Sequence, residues 1–114
     1  MNLWQEAKHN FSALRRRYGF ARGGSVDQHM VEELDLYMEN ESSLYNQKKS
    51  ILANIARRLK NGTYDHSLAP KLWGYWVMSG AKQYAKEFPG TVINKATRDA
   101  LAQEFADRYR SGEE

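Results

Sequence analysis

A chain of 114 residues with 41% hydrophobic and 27% charged side chains has the size and composition of one globular domain able to bury its own core. It has no cysteine, which excludes disulfides, thiolate catalysis and cysteine-ligated zinc or iron–sulfur sites. The net charge of +3 is too modest to demand a polyanionic partner, but it is laid out in blocks. Residues 1–26 carry Lys8, Arg15, Arg16, Arg17 and Arg22 against Glu6 alone. Residues 27–43 are acidic, with Asp27, Glu32, Glu33, Asp35, Glu39 and Glu41 and no Lys or Arg. Residues 44–64 turn basic again through Lys48, Lys49, Arg57, Arg58 and Lys60. Such blocks pair helices within a molecule or leave a basic face free for a polyanion.

Leu3, Trp4, Ala7, Phe11 and Leu14 follow a three-and-four spacing that predicts a first helix over about residues 3–18, ended by Gly19 and the Gly23-Gly24 pair. A second helix is expected from Val26 to about Glu39, with Ser25 as its N-cap and Ser25-Val26-Asp27-Gln28 as a capping box. Its apolar seam is Met30, Leu34, Tyr37 and Met38. Asn40-Glu41-Ser42-Ser43 holds poor interior helix formers and a fresh capping signal, so the helix breaks there. One continuous helix is the alternative, because Met30, Leu34, Tyr37, Leu44, Ile51 and Ile55 keep an approximate heptad register. The third helix then turns Leu44, Tyr45, Ile51, Leu52, Ile55, Ala56 and Leu59 inward and ends at Asn61-Gly62.

The fourth helix starts with Asp65 or Ser67 as cap and tolerates Pro70 only in its first turn. Leu72, Trp76, Gly80, Tyr84 and Phe88 recur every four residues beside Trp73, Val77, Ala81 and Ala85, the wide stripe of a helix packed on several neighbours. Trp76 is expected at its centre, against Phe11 or Leu14, Ile55 and Phe105. Gly74, Ser79, Gly80 and Ala81 suit close helix approach. Pro89-Gly90 ends this helix, and a fifth follows from about Asn94 to Arg110 with Ala96, Ala100, Leu101, Phe105 and Tyr109 inward. Thr91-Val92-Ile93 is too short for a sheet and has no partner strand. The expectation is therefore an all-α single-domain bundle of about five helices over residues 1–110, with a frayed tail at 111–114. MNLWQEAKHNF lacks the basic start and apolar run of a secretory signal. The longest apolar run, residues 72–78, is far short of the roughly 20 residues a membrane span needs, so a soluble cytoplasmic protein with no membrane partner is expected.

No catalytic constellation is legible, and the chain is not expected to be an enzyme or to carry a cofactor. Arg22-Gly23-Gly24-Ser25 follows a helix and lacks phosphate-loop spacing. Glu6 and His9 have the Glu-x-x-His spacing of di-iron bundles, but there is no second copy; His29 with Glu33 is an i,i+4 pair of a polar face, and no metal is expected. His66 beside Asp65 belongs to a helix cap. The leading binding candidate is the basic and aromatic segment Arg15, Arg16, Arg17, Tyr18, Phe20 and Arg22, whose guanidinium forks suit phosphate and whose rings suit base stacking. In the competing reading, the rings pack under a loop and the arginines meet the acidic second helix. Tyr75, two residues from Trp73 and so on another side of the helix, is a second interface candidate, together with the cations Lys48, Lys49, Arg57 and Arg58.

Lys60-Asn61-Gly62-Thr63-Tyr64-Asp65, Leu68-Ala69-Pro70-Lys71-Leu72, Gly80-Ala81-Lys82-Gln83-Tyr84-Ala85-Lys86-Glu87-Phe88 and Lys95-Ala96-Thr97-Arg98-Asp99-Ala100 cover most of residues 57–110. In these features the C-terminal half resembles small helical proteins of bacteriophages and other mobile elements, mostly of unassigned function. Asn94 stands where the resemblance leads one to expect a proline, a departure that touches capping only. The resemblance implies a non-enzymatic accessory protein in the host cytoplasm whose partner is a nucleic acid or a host nucleoprotein complex. A second reading is an anti-CRISPR-like inhibitor of a host protein target. A third is a minor virion or scaffold protein that forms homo-oligomers through the seam between residues 30 and 59.

Overall fold

The computed structural model describes residues 25–114, and the described chain is all-helical. It comprises α1 (Gln28–Asn40), α2 (Ser42–Asn61), a 3-10 turn (His66–Leu68), α3 (Ala69–Glu87) and α4 (Lys95–Arg108), with no strand among the described residues. The helix expected over residues 3–18, with Phe11 and Leu14 as neighbours of Trp76, lies outside them. None of the described helices is long and apolar enough to cross a membrane.

Helix α1 starts two residues later than its sequence suggests. Asp27, not Ser25, is the N-cap: its Oδ1 accepts the Met30 N–H at 3.2 Å, and the Ser25–Gln28 capping box does not form. The reason lies in α4. The Asp27 N–H donates to the buried Thr97 Oγ1 at 3.0 Å, and Asn94 Nδ2 donates to the Ser25 carbonyl at 2.8 Å. Residues 25–27 are thereby tied to the start of α4, and the helix begins where an aspartate can cap it and place charge at its positive end. From there Met30, Val31, Leu34, Tyr37 and Met38 face the core.

The break between α1 and α2 is one residue, Glu41, in extended conformation at φ −92° and ψ 113°. This excludes the continuous helix. Asn40 Nδ2 donates to the Leu36 carbonyl at 2.8 Å, folding its side chain back on the last α1 turn. Beyond the break, α2 buries a narrow stripe: Leu44, Lys48, Leu52 and Ile55. Tyr45 (47% exposed), Ala56 and Leu59 (41%), all expected inward, face out, and Ile51 is half-buried. Helix α2 leans mainly on α3, so a single row of side chains suffices to fill the contact.

Helix α3 is central, touching each of the other elements, and its pairing with α4 is the most extensive. Trp73, Trp76, Val77, Gly80, Ala81 and Tyr84 are its buried face. Trp76 meets Phe105 at 4.9 Å between ring centroids and donates its indole N–H to the Leu44 carbonyl at 3.0 Å, which joins α2 to the α3–α4 pair. Trp73 packs edge-on to Trp76 and also meets Phe105 and Tyr109. The two glycines of α3 differ. A Cβ at Gly80 would lie 2.4 Å from Met38 Sδ, so α1 crosses there in direct contact, whereas a Cβ at Gly74 would meet nothing within 4 Å. The expected close approach holds at Gly80 and fails at Gly74.

Asn94 caps α4, accepting the Thr97 N–H at 2.8 Å. Its effect therefore exceeds capping, because the same amide holds the Ser25 carbonyl, which a proline could not do. Leu101, Ala102, Phe105, Ala106 and Tyr109 are buried. The terminal residues, expected to fray, turn back onto α2. Gly112 adopts φ +77°, and a Cβ there would come within 2.9 Å of the Ala56 backbone nitrogen. The Glu114 carboxylate lies 3.6 Å from Lys48 Nζ.

Candidate binding groove

Helix α2 ends by a mechanism written into Asn61-Gly62. Gly62 takes the left-handed φ of +72° and donates to the Leu59 carbonyl, while the Thr63 N–H donates to the Arg58 carbonyl at 2.8 Å. The chain then reverses. Asp65 accepts from the Ser67 N–H at 2.9 Å and from its hydroxyl at 2.7 Å, which winds the 3-10 turn that feeds α3, with Pro70 in the first helical turn. Those two bonds hold the exposed Asp65 carboxyl below its ordinary range. His66, expected at a cap, follows the capping residue and packs edge-on to Tyr64 at 4.5 Å.

This reversal leaves a groove of about 260 Å³ between the end of α2 and the first two turns of α3. Arg58 lies on the α2 wall. Leu68, Lys71, Leu72 and Tyr75 form the other wall, and Tyr64 and Asp65 close one end. Tyr75 is 68% exposed and Leu68 55%. Arg58 is braced by its Nε donating to Asn54 Oδ1 at 2.7 Å. Burial raises the Tyr64 phenol above its ordinary value, and the nearby Arg110 partly offsets this.

Among the described residues, the acidic block meets Arg108 and Lys48. Arg108, from the last turn of α4, forks onto Asp35 at 2.8 and 2.9 Å and reaches Glu39 at 3.4 Å. Lys48, drawn into the core boundary at 8% exposure, pairs with Glu39 at 3.1 Å. Tyr109 donates its hydroxyl to the same carboxylate, and Lys48 Nζ sits 4.7 Å above the Tyr109 ring. Bonding to Asp35 raises the Arg108 pKa against burial. Burial lowers the Lys48 pKa, but its bonds to Tyr109 and Glu39 carry it above the ordinary value. Burial, then the bond to Glu39, raises Tyr109. The buried Glu33 accepts the Tyr84 hydroxyl at 2.7 Å, and His29 is exposed. No cluster of three or more metal-ligating side chains occurs among the described residues.

Of the sequence-predicted interface residues, Arg58 and Tyr75 come together in the groove. Arg57 is exposed beside it on α2. Lys48 is committed to its internal ion pairs, and Lys49 places its Nζ 5.6 Å from the Tyr45 ring, about 13–15 Å along α2 from the groove. Arg15, Arg16, Arg17, Tyr18, Phe20 and Arg22 lie outside the described residues. Sequence reasoning missed Lys71 and Leu68 as partners of Tyr75. The signal was present, since Leu68, Lys71, Leu72 and Tyr75 share one helical face apart from the Trp73–Trp76 face. Comparison with protein-family models, curated proteins and solved structures finds no match to this chain.

Proposed function

We propose that the protein is a non-enzymatic accessory factor, of the kind carried by phages and mobile elements, that docks on nucleic acid or a nucleoprotein machine through a basic and aromatic surface. The supporting observation is how charge is divided. Asp35 and Glu39 of the acidic helix are engaged internally by Arg108 and Lys48, while Arg58 and Lys71 flank the exposed Tyr75 with no carboxylate in ion-pair contact among the described residues. In this reading Arg15, Arg16, Arg17, Tyr18, Phe20 and Arg22 supply the basic and aromatic contacts expected from the sequence, and a helix over residues 3–18 completes a five-helix bundle. Fluorescence anisotropy with short DNA and RNA tests it. Binding at low salt should weaken steeply as salt rises, and reversal of Arg16, Arg17 and Arg22 to glutamate should abolish it with folding nearly intact. Absence of binding at low salt refutes the proposal.

The apolar content of the groove, Leu68, Leu72 and Tyr75, favours a second reading: inhibition of a host defence protein by direct contact. Capture of a partner from host lysate that survives nuclease and moderate salt would select it.

A further inference from the structure

We infer that the groove binds single-stranded nucleic acid without sequence preference, one base stacking on Tyr75 while adjacent phosphates meet Arg58 and Lys71. This rests on the nucleic-acid reading above and names its substrate form and contact residues. Tyr75 presents most of its ring to solvent at 68% exposure, on a wall where Leu72 and Leu68 supply apolar surface beneath an incoming base. Every base has a π-face, so a lone exposed ring stacks on unpaired bases and reads none of them. In a duplex those faces are already stacked, and the ring would go unused.

The charges complete the match. Lys71 stands one helical turn before Tyr75 on the same wall, and Arg58 stands opposite it on α2. The Arg58 Nε bond to Asn54 fixes the guanidinium and leaves its terminal N–H groups as a fork for phosphate. Asp65, the carboxylate of the lining, is held by two bonds to Ser67 in the 3-10 turn. Cations on both walls around one ring fit the phosphate–base–phosphate repeat of a strand.

The test uses full-length protein and labelled 20-nucleotide oligo-dT, oligo-rU and a mixed-sequence duplex. Tyr75→Ala should weaken both single strands about tenfold, and Tyr75→Phe should bind as wild type, each with an unchanged circular dichroism melt. Arg58→Gln with Lys71→Gln should lower the slope of log affinity against log salt by about 1.4, roughly 0.7 for each phosphate no longer neutralised. Duplex bound as tightly as single strand, or single-strand binding unaltered by Tyr75→Ala, overturns the inference while the broader reading stands. Loss of binding on reversal of Arg16, Arg17 and Arg22, with Tyr75→Ala binding as wild type, would move the site to the 15–22 segment. No binding of any oligonucleotide by the wild type overturns both.

Discussion

Alanine substitution at the two glycines of α3 should move stability in opposite directions. Both sit inside the helix, where glycine is roughly 1 kcal/mol worse than alanine. At Gly74 a new Cβ meets nothing within 4 Å, so Gly74→Ala keeps that gain and should raise the melting temperature by about 4 °C for a domain of this size. At Gly80 the new Cβ falls 2.4 to 2.6 Å from three atoms of the Met38 side chain, which is itself 2% exposed and would have to shift. Overpacking of that kind costs about 1–3 kcal/mol, which outweighs the propensity gain and leaves a net loss of about 1 kcal/mol. Gly80→Leu adds three more carbons to the same contact and should lose considerably more. Urea titrations followed by circular dichroism measure both effects, with unchanged slopes showing that stability alone has moved. Met38→Ala should cost less in the Gly80→Ala background than in the wild type, giving a coupling energy outside the roughly 0.3–0.5 kcal/mol scatter of independent sites. A Gly80→Ala or Gly80→Leu protein as stable as wild type would show that α1 does not cross α3 at this point.

Trp76→Ala should cost about 3–5 kcal/mol, because it empties the contact with Phe105 and removes the donor to the Leu44 carbonyl; a wild-type-like thermal melt would dismiss Trp76 as the core centre. Asn94→Pro and Asn94→Ala should each cost about 1–2 kcal/mol, while Asn94→Asp, which keeps the cap and loses the amide donor to Ser25, should fall between them and wild type in urea midpoint. Stability should be level through neutral pH and decline as pH rises past about 10. Tyr109 and Lys48 have raised folded-state pKa values, so the folded chain holds their protons where the unfolded chain releases them. Tyr109→Phe should flatten that decline in melts recorded from about pH 7 to 11, and a wild-type stability that climbs above about pH 10 would contradict the arrangement around Glu39.

Local signals carried most of the described architecture. Weak helix formers at Asn40-Glu41 made the α1–α2 break readable, Asn61-Gly62 marked a left-handed C-cap, and the four-residue recurrence through Trp76 located the central helix. Each depends on residues adjacent in sequence or one turn apart. The misreadings all lie where a distant residue decides. Ser25 is as good a cap as Asp27 until Thr97, 70 residues away, binds the Asp27 N–H. Tyr45 and Leu59 look like core residues until the narrow α2–α3 contact leaves them at its edge. The pairing of Arg108 with Asp35, across 73 positions, likewise has no local signal in the sequence. That last pairing bears on function. Electrostatic demand within the fold selects which cations are engaged internally, and helix packing makes that selection. Lys48 and Arg58 are alike in the sequence, ten residues apart on one helix. Packing turns Lys48 toward Glu39 and into the protein, and it leaves Arg58 on the groove wall facing Tyr75 and Lys71. A candidate binding surface in this protein is thus defined by the charges the fold leaves unspent.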